Sequence, residues 1–420
     1  MDLNNQLAFL LLILIGLSFG CTSQNSKQKP APKAVYIILD GISADVLEQT
    51  DTPNLDKISK IGGYTRATTG GMAGGYSESP TASAIGYNNL LTGTWANKHN
   101  VYDNNIDHPN YEYWSLYRLI ETEKPALKTA IFSSWTDNRT KLIGEGLEES
   151  GGFQIDIVRD GYDIDTLSFP HDSAWVRQVD EKVVQEAAKS LKENAPDFSW
   201  IYLWYTDDTG HSFGDTEKYF ESIKNADRQV GKIWNAIQER KNNFNEDWLI
   251  IVTTDHGRAL PDGKSHGNQS ERERTVWFAT NADNLNEYFR NGKPQHVDLY
   301  PTIVQHLGIK IPKDVERELD GVPFAGSISL SNLNASVNKN QELLLKWDSW
   351  ENSGEVEIKL AHTNYYKIGG KDEYQLVGTK ELSSEKALIN LNPLFDSIPD
   401  TLKVIVQGKH NQHSAWVVKK

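Results

Sequence analysis

Three apolar runs in this chain each end on a carboxylate, and two of them also deliver a histidine. "AVYIIL" (34–39) runs into Asp40, and "SWIYLWYT" (199–206) into Asp207, with His211 four residues on. "WLIIVTT" (248–254) runs into Asp255 and His256, and His266 follows in "SHGNQSERER". Any one of these would ordinarily be a turn or helix-cap residue. Ligands of open α/β sheets, however, bind beyond the carboxyl ends of the strands, where all of these side chains fall. Asp and neutral His suit Zn²⁺ held by mixed oxygen and nitrogen ligands with a position left for substrate. Six such ligands are too many for one catalytic ion and enough for two. Two ions about 4 Å apart clamp the attacking and leaving oxygens of an in-line displacement. A hydroxyl nucleophile coordinated to one of them needs no histidine base. "SESPTASAIGYNNLLTG" (77–93) offers Ser77, Ser79, Thr81 and Ser83 ahead of a helix-like run. Their spacing alone leaves the choice open.

Strands buried on both faces of a sheet must position these groups. "KTAIFS" (128–133) and "TVWFAT" (275–280) join the three runs above as short, nearly continuous apolar segments of that kind. Between them lie helix-period stretches. The clearest is 215–240, with Tyr219, Ile223, Ala226, Val230, Ile233 and Ile237 on one face and Asp215 available as cap. A shorter helix over 297–309 closes at Gly308. Strands alternating with helices predict an α/β sandwich with a mostly parallel central sheet. After about residue 328 the pattern changes to six strand-like runs separated by Asn, Gly, Ser and Pro, beginning with "QELLLKWD" and ending with "SAWVVK". They predict a small all-β sandwich of immunoglobulin or fibronectin III type, with no catalytic constellation of its own.

The apolar stretch "LAFLLLILIGLSFG" (7–20) reads as a signal peptide, with export as its consequence. Cys21, the sole cysteine, follows directly, as in a bacterial lipoprotein signal, which implies a lipid anchor and a place in the periplasm or at the cell surface. A polar, Pro-containing tether then runs to residue 33. The expected organisation is 1–20 signal, 21–33 tether, 34–328 catalytic unit and 329–420 accessory β unit. A formal charge of −14 argues against a nucleic-acid duplex as partner. A small anionic substrate remains compatible, because a local metal site outweighs the overall field.

"VYIILDGISADVL", the hydroxyl-led helix ending at Thr92-Gly93, "DDTGHSFG", "TTDHG" and "SHG" resemble the alkaline phosphatase superfamily, and within it the type I phosphodiesterase/nucleotide pyrophosphatase branch. The likeness runs from about residue 34 to 325. It implies an alkaline-phosphatase-like α/β/α sandwich and two zinc ions per chain. Asp40, the nucleophile, Asp255 and His256 would hold one ion, and Asp207, His211 and His266 the other. The family register, nine residues before the Thr of the Thr-Gly pair, gives Ser83 as nucleophile and metal ligand, with Thr81 next and Ser79 after it. "HNVYDNNI" resembles the family's His-Gly-…-Asp-Asn stretch and places Asn104 as an amide donor to a phosphate oxygen. The implied substrate is a small phosphate ester, cleaved through a covalent intermediate on serine.

Sulfatases share the fold but follow the nucleophile with x-Pro-x-Arg, whereas Ser83 is followed by Ala84, Ile85, Gly86 and Tyr87. A monoesterase needs added cations for its extra charge. Arg139 and Lys141 lie in roughly the right region, at a spacing that better suits a solvated loop. A phosphodiester or nucleotide pyrophosphate is therefore favoured over a monoester. Tyr87, Trp95, Trp114 and Trp135 are candidates to stack on a leaving group, with core packing as their ordinary role. A catalytically inert binding protein is the contrasting class, against which the complete ligand set speaks.

Overall fold

The computed structural model describes residues 29–418, so the leader, Cys21 and most of the tether lie outside the described residues. Seven strands form the central sheet: β1 (Ala31–Leu39), β2 (Gly63–Thr68), β3 (Thr129–Ser133), β4 (Ile157–Arg159), β5 (Phe198–Leu203), β6 (Glu246–Thr253) and β7 (Thr275–Thr280). Their order is β2-β7-β6-β1-β5-β3-β4. Pairing is parallel from β6 across to β4 and antiparallel where β7 joins β6 and β2. β1 starts at Ala31, three residues before the expected boundary, because Ala31, Pro32 and Lys33 already pair with Glu246, Asp247 and Trp248.

Register decides what the sheet delivers. Leu39 lies beside Leu203 and Ile38 beside Thr253, so β1, β5 and β6 end level with one another. The residues that follow them therefore emerge at one edge. Side chains alternate across the sheet: Tyr36 and Ile38 enter one apolar layer with helices Ser83–Thr92, Leu116–Glu123 and Leu299–His306. Val35, Ile37 and Leu39 enter the other with helices Trp175–Glu193 and Glu217–Asn243. Every apolar residue expected on the face of the long helix is buried. Its start differs from the expectation: Thr216 is the cap position, and Asp215 pairs instead with Arg272 at 2.8 Å. Gly308, at φ +61°, follows the Leu299–His306 helix in the left-handed conformation that suits glycine.

The C-terminal region is a separate antiparallel arrangement. It comprises β8 (Leu330–Val337), β9 (Glu342–Ser349), β10 (Glu355–Ala361), β11 (Gln375–Glu381), β12 (Lys386–Asn390), β13 (Thr401–Gln407) and β14 (Gln412–Val418). A four-stranded sheet, β11-β10-β13-β14, and a three-stranded one, β12-β9-β8, share an apolar core around Leu343, Leu345, Trp347, Ile358, Val404 and Val406. The six runs read from the sequence are all strands; β8 is additional. Among the described residues no helix is long and apolar enough to cross a membrane.

Candidate metal centre

The level strand ends bring the six predicted ligands into two groups of three. Within each group one donor atom per residue lies within 4.8 Å of the others. Asp40, Asp255 and His256 form the buried group. His256 Nε2 lies 3.2 Å from Asp255 Oδ2 and 3.5 Å from Asp40 Oδ1. These three atoms are buried and have no hydrogen-bond partner among the described residues, although buried polar atoms are nearly always paired. The opposite side of each residue is fully engaged. Asp40 Oδ2 accepts from Tyr87 Oη and, at 2.7 Å, from Tyr202 Oη. Asp255 Oδ1 accepts from the Gly41 amide at 2.9 Å. His256 Nδ1–H donates to the Gly257 carbonyl at 2.9 Å, which leaves the Nε2 lone pair free. Three orphaned donors facing one another fit a cation.

The second group is more open. His211 Nε2 lies 3.3 Å from Asp207 Oδ2, and His266 Nε2 lies 3.8 Å from Asp207 Oδ1. The two ring nitrogens face each other at 3.0 Å. His266 Nδ1–H donates to the Thr81 carbonyl at 3.1 Å, fixing that ring as well. The His256 and His266 rings stack with centroids 3.7 Å apart, so the two groups adjoin.

Electrostatics differ between them. Burial, with Asp255 and Asp207 nearby, holds the Asp40 carboxyl well above the usual range. Burial likewise pushes Asp255 up to about 7. Asp207 falls below the usual range: burial opposes the fall, but the His211 hydrogen bond and the surrounding positive field, with the Arg258 guanidinium in it, outweigh it. Burial keeps the His256 and His266 imidazoles down, in the neutral form that binds metal. Two crowded carboxylates that resist ionisation together are what a cation would relieve.

The hydroxyl candidates separate clearly. Ser79 Oγ donates to the Ser77 carbonyl and accepts from the Ala96 amide, both at 3.0 Å. Thr81 Oγ1 donates to the Asn268 carbonyl at 2.6 Å and accepts from the Gly267 amide at 3.2 Å. Ser77 Oγ accepts from the Met72 amide at 3.1 Å. Ser83 is the first residue of its helix, and its neighbours on both sides touch the two groups. Thr81 meets His266, Tyr87 meets Asp40, and a Cβ on Gly86 would meet Asp255 at 2.8 Å. Asn104 lies beside it, its Oδ1 accepting from the Ala84 amide at 3.0 Å, which turns the amide nitrogen away from that bond.

Several side chains take places other than those their sequence positions suggest. Tyr87 is no stacking surface; it is fully buried and its hydroxyl serves Asp40. Trp135 meets Tyr87 edge-on, Trp95 is buried with its amide on Asp320, and Trp114 lies under Arg118. Arg139 is held by Asp160 at 2.6 Å and Glu145 at 2.8 Å, and Lys141 by Asp137 at 2.8 Å. Arg258, fully buried and bonded to Asp207 Oδ1 at 2.5 Å, was not anticipated; its place two residues after His256 was the available signal.

The type I phosphodiesterase / nucleotide pyrophosphatase family pattern matches residues 34–293, well over half of the chain, and the chain belongs to that family. Venom phosphodiesterase of Naja atra is 25% identical over 262 residues, covering 56% of this chain and 28% of its own length. Human ectonucleotide pyrophosphatase/phosphodiesterase family member 7 is 22% identical over 273 residues, covering 61% of this chain and 54% of its own. This chain therefore spans only part of the length of these relatives. Among solved structures, murine ectonucleotide pyrophosphatase / phosphodiesterase 5 in complex with AMP aligns with a TM-score of 0.48 at 15% identity, covering 67% of this chain and 96% of that one.

Proposed function

We propose that this chain hydrolyses phosphodiesters or nucleotide pyrophosphates, with two zinc ions and Ser83 as nucleophile. The observation that carries the reading is the convergence of three buried, unpartnered donors, Asp40 Oδ1, Asp255 Oδ2 and His256 Nε2, beside the helix that begins at Ser83. Asp40, Ser83, Asp255 and His256 would hold one ion, and Asp207, His211 and His266 the other. When bound, the ions would lower the pKa of the hydroxyl and stabilise charge on the phosphoryl oxygens.

The remaining work falls to the chain. Ser83 Oγ forms a bond to phosphorus as the ester oxygen of the leaving alcohol or nucleotide departs; water then breaks the phosphoseryl bond and restores the serine. The Asn104 amide donates to a non-bridging oxygen, already oriented by its bond to the Ala84 main chain. Tyr87 and Tyr202 hold Asp40 in place from behind. A diester is favoured over a monoester because Arg139 and Lys141, in roughly the region where monoesterase relatives carry their cationic pair, are engaged by carboxylates. Residues 34–328 are the catalytic unit in this reading and 329–420 the accessory one.

Turnover of an aryl phosphodiester, an aryl phosphate and an aryl sulfate, compared after chelation and after return of Zn²⁺, tests the reading. Diester turnover restored by Zn²⁺ supports it. Chelator-resistant activity, or one metal per chain, sinks the two-zinc mechanism. Export with a lipid on Cys21 completes the proposal and rests on the apolar stretch before that residue. A Cys21→Ser variant should be released from membranes; a wild-type protein recovered entirely soluble removes the anchor.

A further inference from the structure

We infer that Arg258 is a positioning residue that sets the metal affinity of the Asp207–His211–His266 group, and this rests on the two-metal reading above. Its side chain is fully buried and ties together two segments that carry ligands. Nη1 donates to Asp207 Oδ1 at 2.5 Å, on the helix Tyr205–Phe213 that also bears His211. Nε donates to the Gly263 carbonyl at 2.5 Å and Nη2 to the Lys264 carbonyl at 2.8 Å, on the loop that leads into His266. The Arg258 amide is itself held by Ser43 Oγ at 2.8 Å, just past the end of β1. One guanidinium thus fixes the only carboxylate of the group relative to one of its two histidines.

The surrounding glycines show that the space is shaped for this side chain. A Cβ on Gly41 would lie 2.7 Å from Arg258 Nη1, and one on Gly210 would lie 2.6 Å from its Cζ. Gly210 sits inside a helix, where glycine is ordinarily unfavourable, directly before His211. The buried group needs no such clamp, because its carboxylates and histidine stand within three residues of the ends of β1 and β6. The Asp207 group draws His266 from a loop thirteen residues past the end of β6, and a loop must be held to present a ligand. Lysine cannot replace this function: its ammonium is a point charge without the planar fork that spans three acceptors.

Zn²⁺ titration of the apo protein by calorimetry, read as two binding steps and assigned with Asp207→Ala and Asp255→Ala, tests the inference. Arg258→Met and Arg258→Lys should each weaken the step lost in Asp207→Ala by about ten- to hundredfold. The step lost in Asp255→Ala should stay within about threefold. Unchanged or tighter binding at the Asp207 group in folded variants overturns the inference. Equal weakening of both steps also overturns it, because that marks a general structural role. Amide exchange of the wild-type apo protein gives a readout without a variant: residues 259–266 should be protected, and free exchange there means Arg258 does not hold the loop. A wild-type chain that binds no second ion would instead refute the two-metal reading.

Discussion

At the scale of single residues, Asp40, Asp255 and His256 each have one side bound by the protein and one left over. That division gives the proposed roles their tests. Ser83→Ala should lower diester turnover by about a thousandfold or more while both metals remain measurable by elemental analysis. Thr81→Ala should instead loosen the His266 loop, since that hydroxyl bridges Gly267 and Asn268. Turnover lost in Thr81→Ala and kept in Ser83→Ala would mean the register is misassigned. Asn104→Asp separates the two functions of that side chain. A carboxylate still accepts from the Ala84 amide but has no N–H to donate, so the melting temperature should hold while kcat falls by about a hundredfold or more. A kcat near wild type would remove Asn104 from the phosphate site. The six proposed ligands were readable because they sit at the ends of apolar runs or on the helix and loop just beyond them, whereas the roles of Arg258 and Tyr87 were not. A buried arginine or tyrosine hydroxyl acts through partners distant in sequence, and no local pattern announces them.

Elements were legible in proportion to how deeply both faces are buried. β1, β3, β5, β6 and β7 are continuous apolar runs because helices cover the sheet on either side. β2, "GYTRAT", lies at one edge and alternates exposed and covered residues, and β4 is a three-residue edge strand. β8, "LSNLNASV", carries Asn and Ser in a register broken between Ser331 and Asn334. None of these presents an apolar run. The start of the Leu299–His306 helix shows a cost of burial that composition does not reveal. Asp298 there accepts from the Gln295 amide at 2.6 Å, the Val322 amide at 2.8 Å and Tyr288 Oη at 2.7 Å. Burial nevertheless pushes its carboxyl up to about 7. Because the folded value exceeds the unfolded one, the folded state binds the proton more tightly. The resulting stability is full below about pH 4 and is lost as pH rises through about 7. Asp298→Asn keeps an acceptor without the charge, so the difference in unfolding free energy between wild type and variant should change steadily between pH 4 and 7, the variant gaining on the wild type as pH rises. A difference that stays constant over that range would show that Asp298 is ionised throughout.

Across the whole molecule, the change of pattern near residue 328 showed where the antiparallel region begins but not how it is attached. Apolar periodicity reports cores within a unit; the junction between units here also carries buried ion pairs. Lys403, on β13, places Nζ 2.6 Å from Glu318 Oε1 and 2.7 Å from Asp372 Oδ2, with all three side chains nearly sealed from solvent. Lys98, on the short helix Ala96–His99 that follows the Ser83–Thr92 helix, reaches Asp320 Oδ1 and the Glu318 carbonyl at 2.7 Å each. Asp320 also bonds the Trp95 amide at 3.0 Å through Oδ2, and its carbonyl accepts from His413 Nε2 at 3.0 Å on β14. Trp416 lies between the two lysines, each Nζ 4.9 Å from its ring centre, and stacks on Tyr76 with centroids 6.1 Å apart. The β region is thus clamped to the turn that follows the proposed nucleophile helix. Two nearly sealed acids share one lysine at the junction, so removing that cation leaves both carboxylates buried without their direct ion-pair partner. Lys403→Met should therefore cost about 3–5 kcal/mol in chemical denaturation. Wild-type unfolding followed by far-ultraviolet circular dichroism and by tryptophan fluorescence should show one shared transition. In Lys403→Met the transition should move to lower denaturant, or split with the C-terminal strands melting first. Wild-type unfolding in two well-separated steps, with Lys403→Met leaving both midpoints in place, would show that the two regions are joined only by the chain.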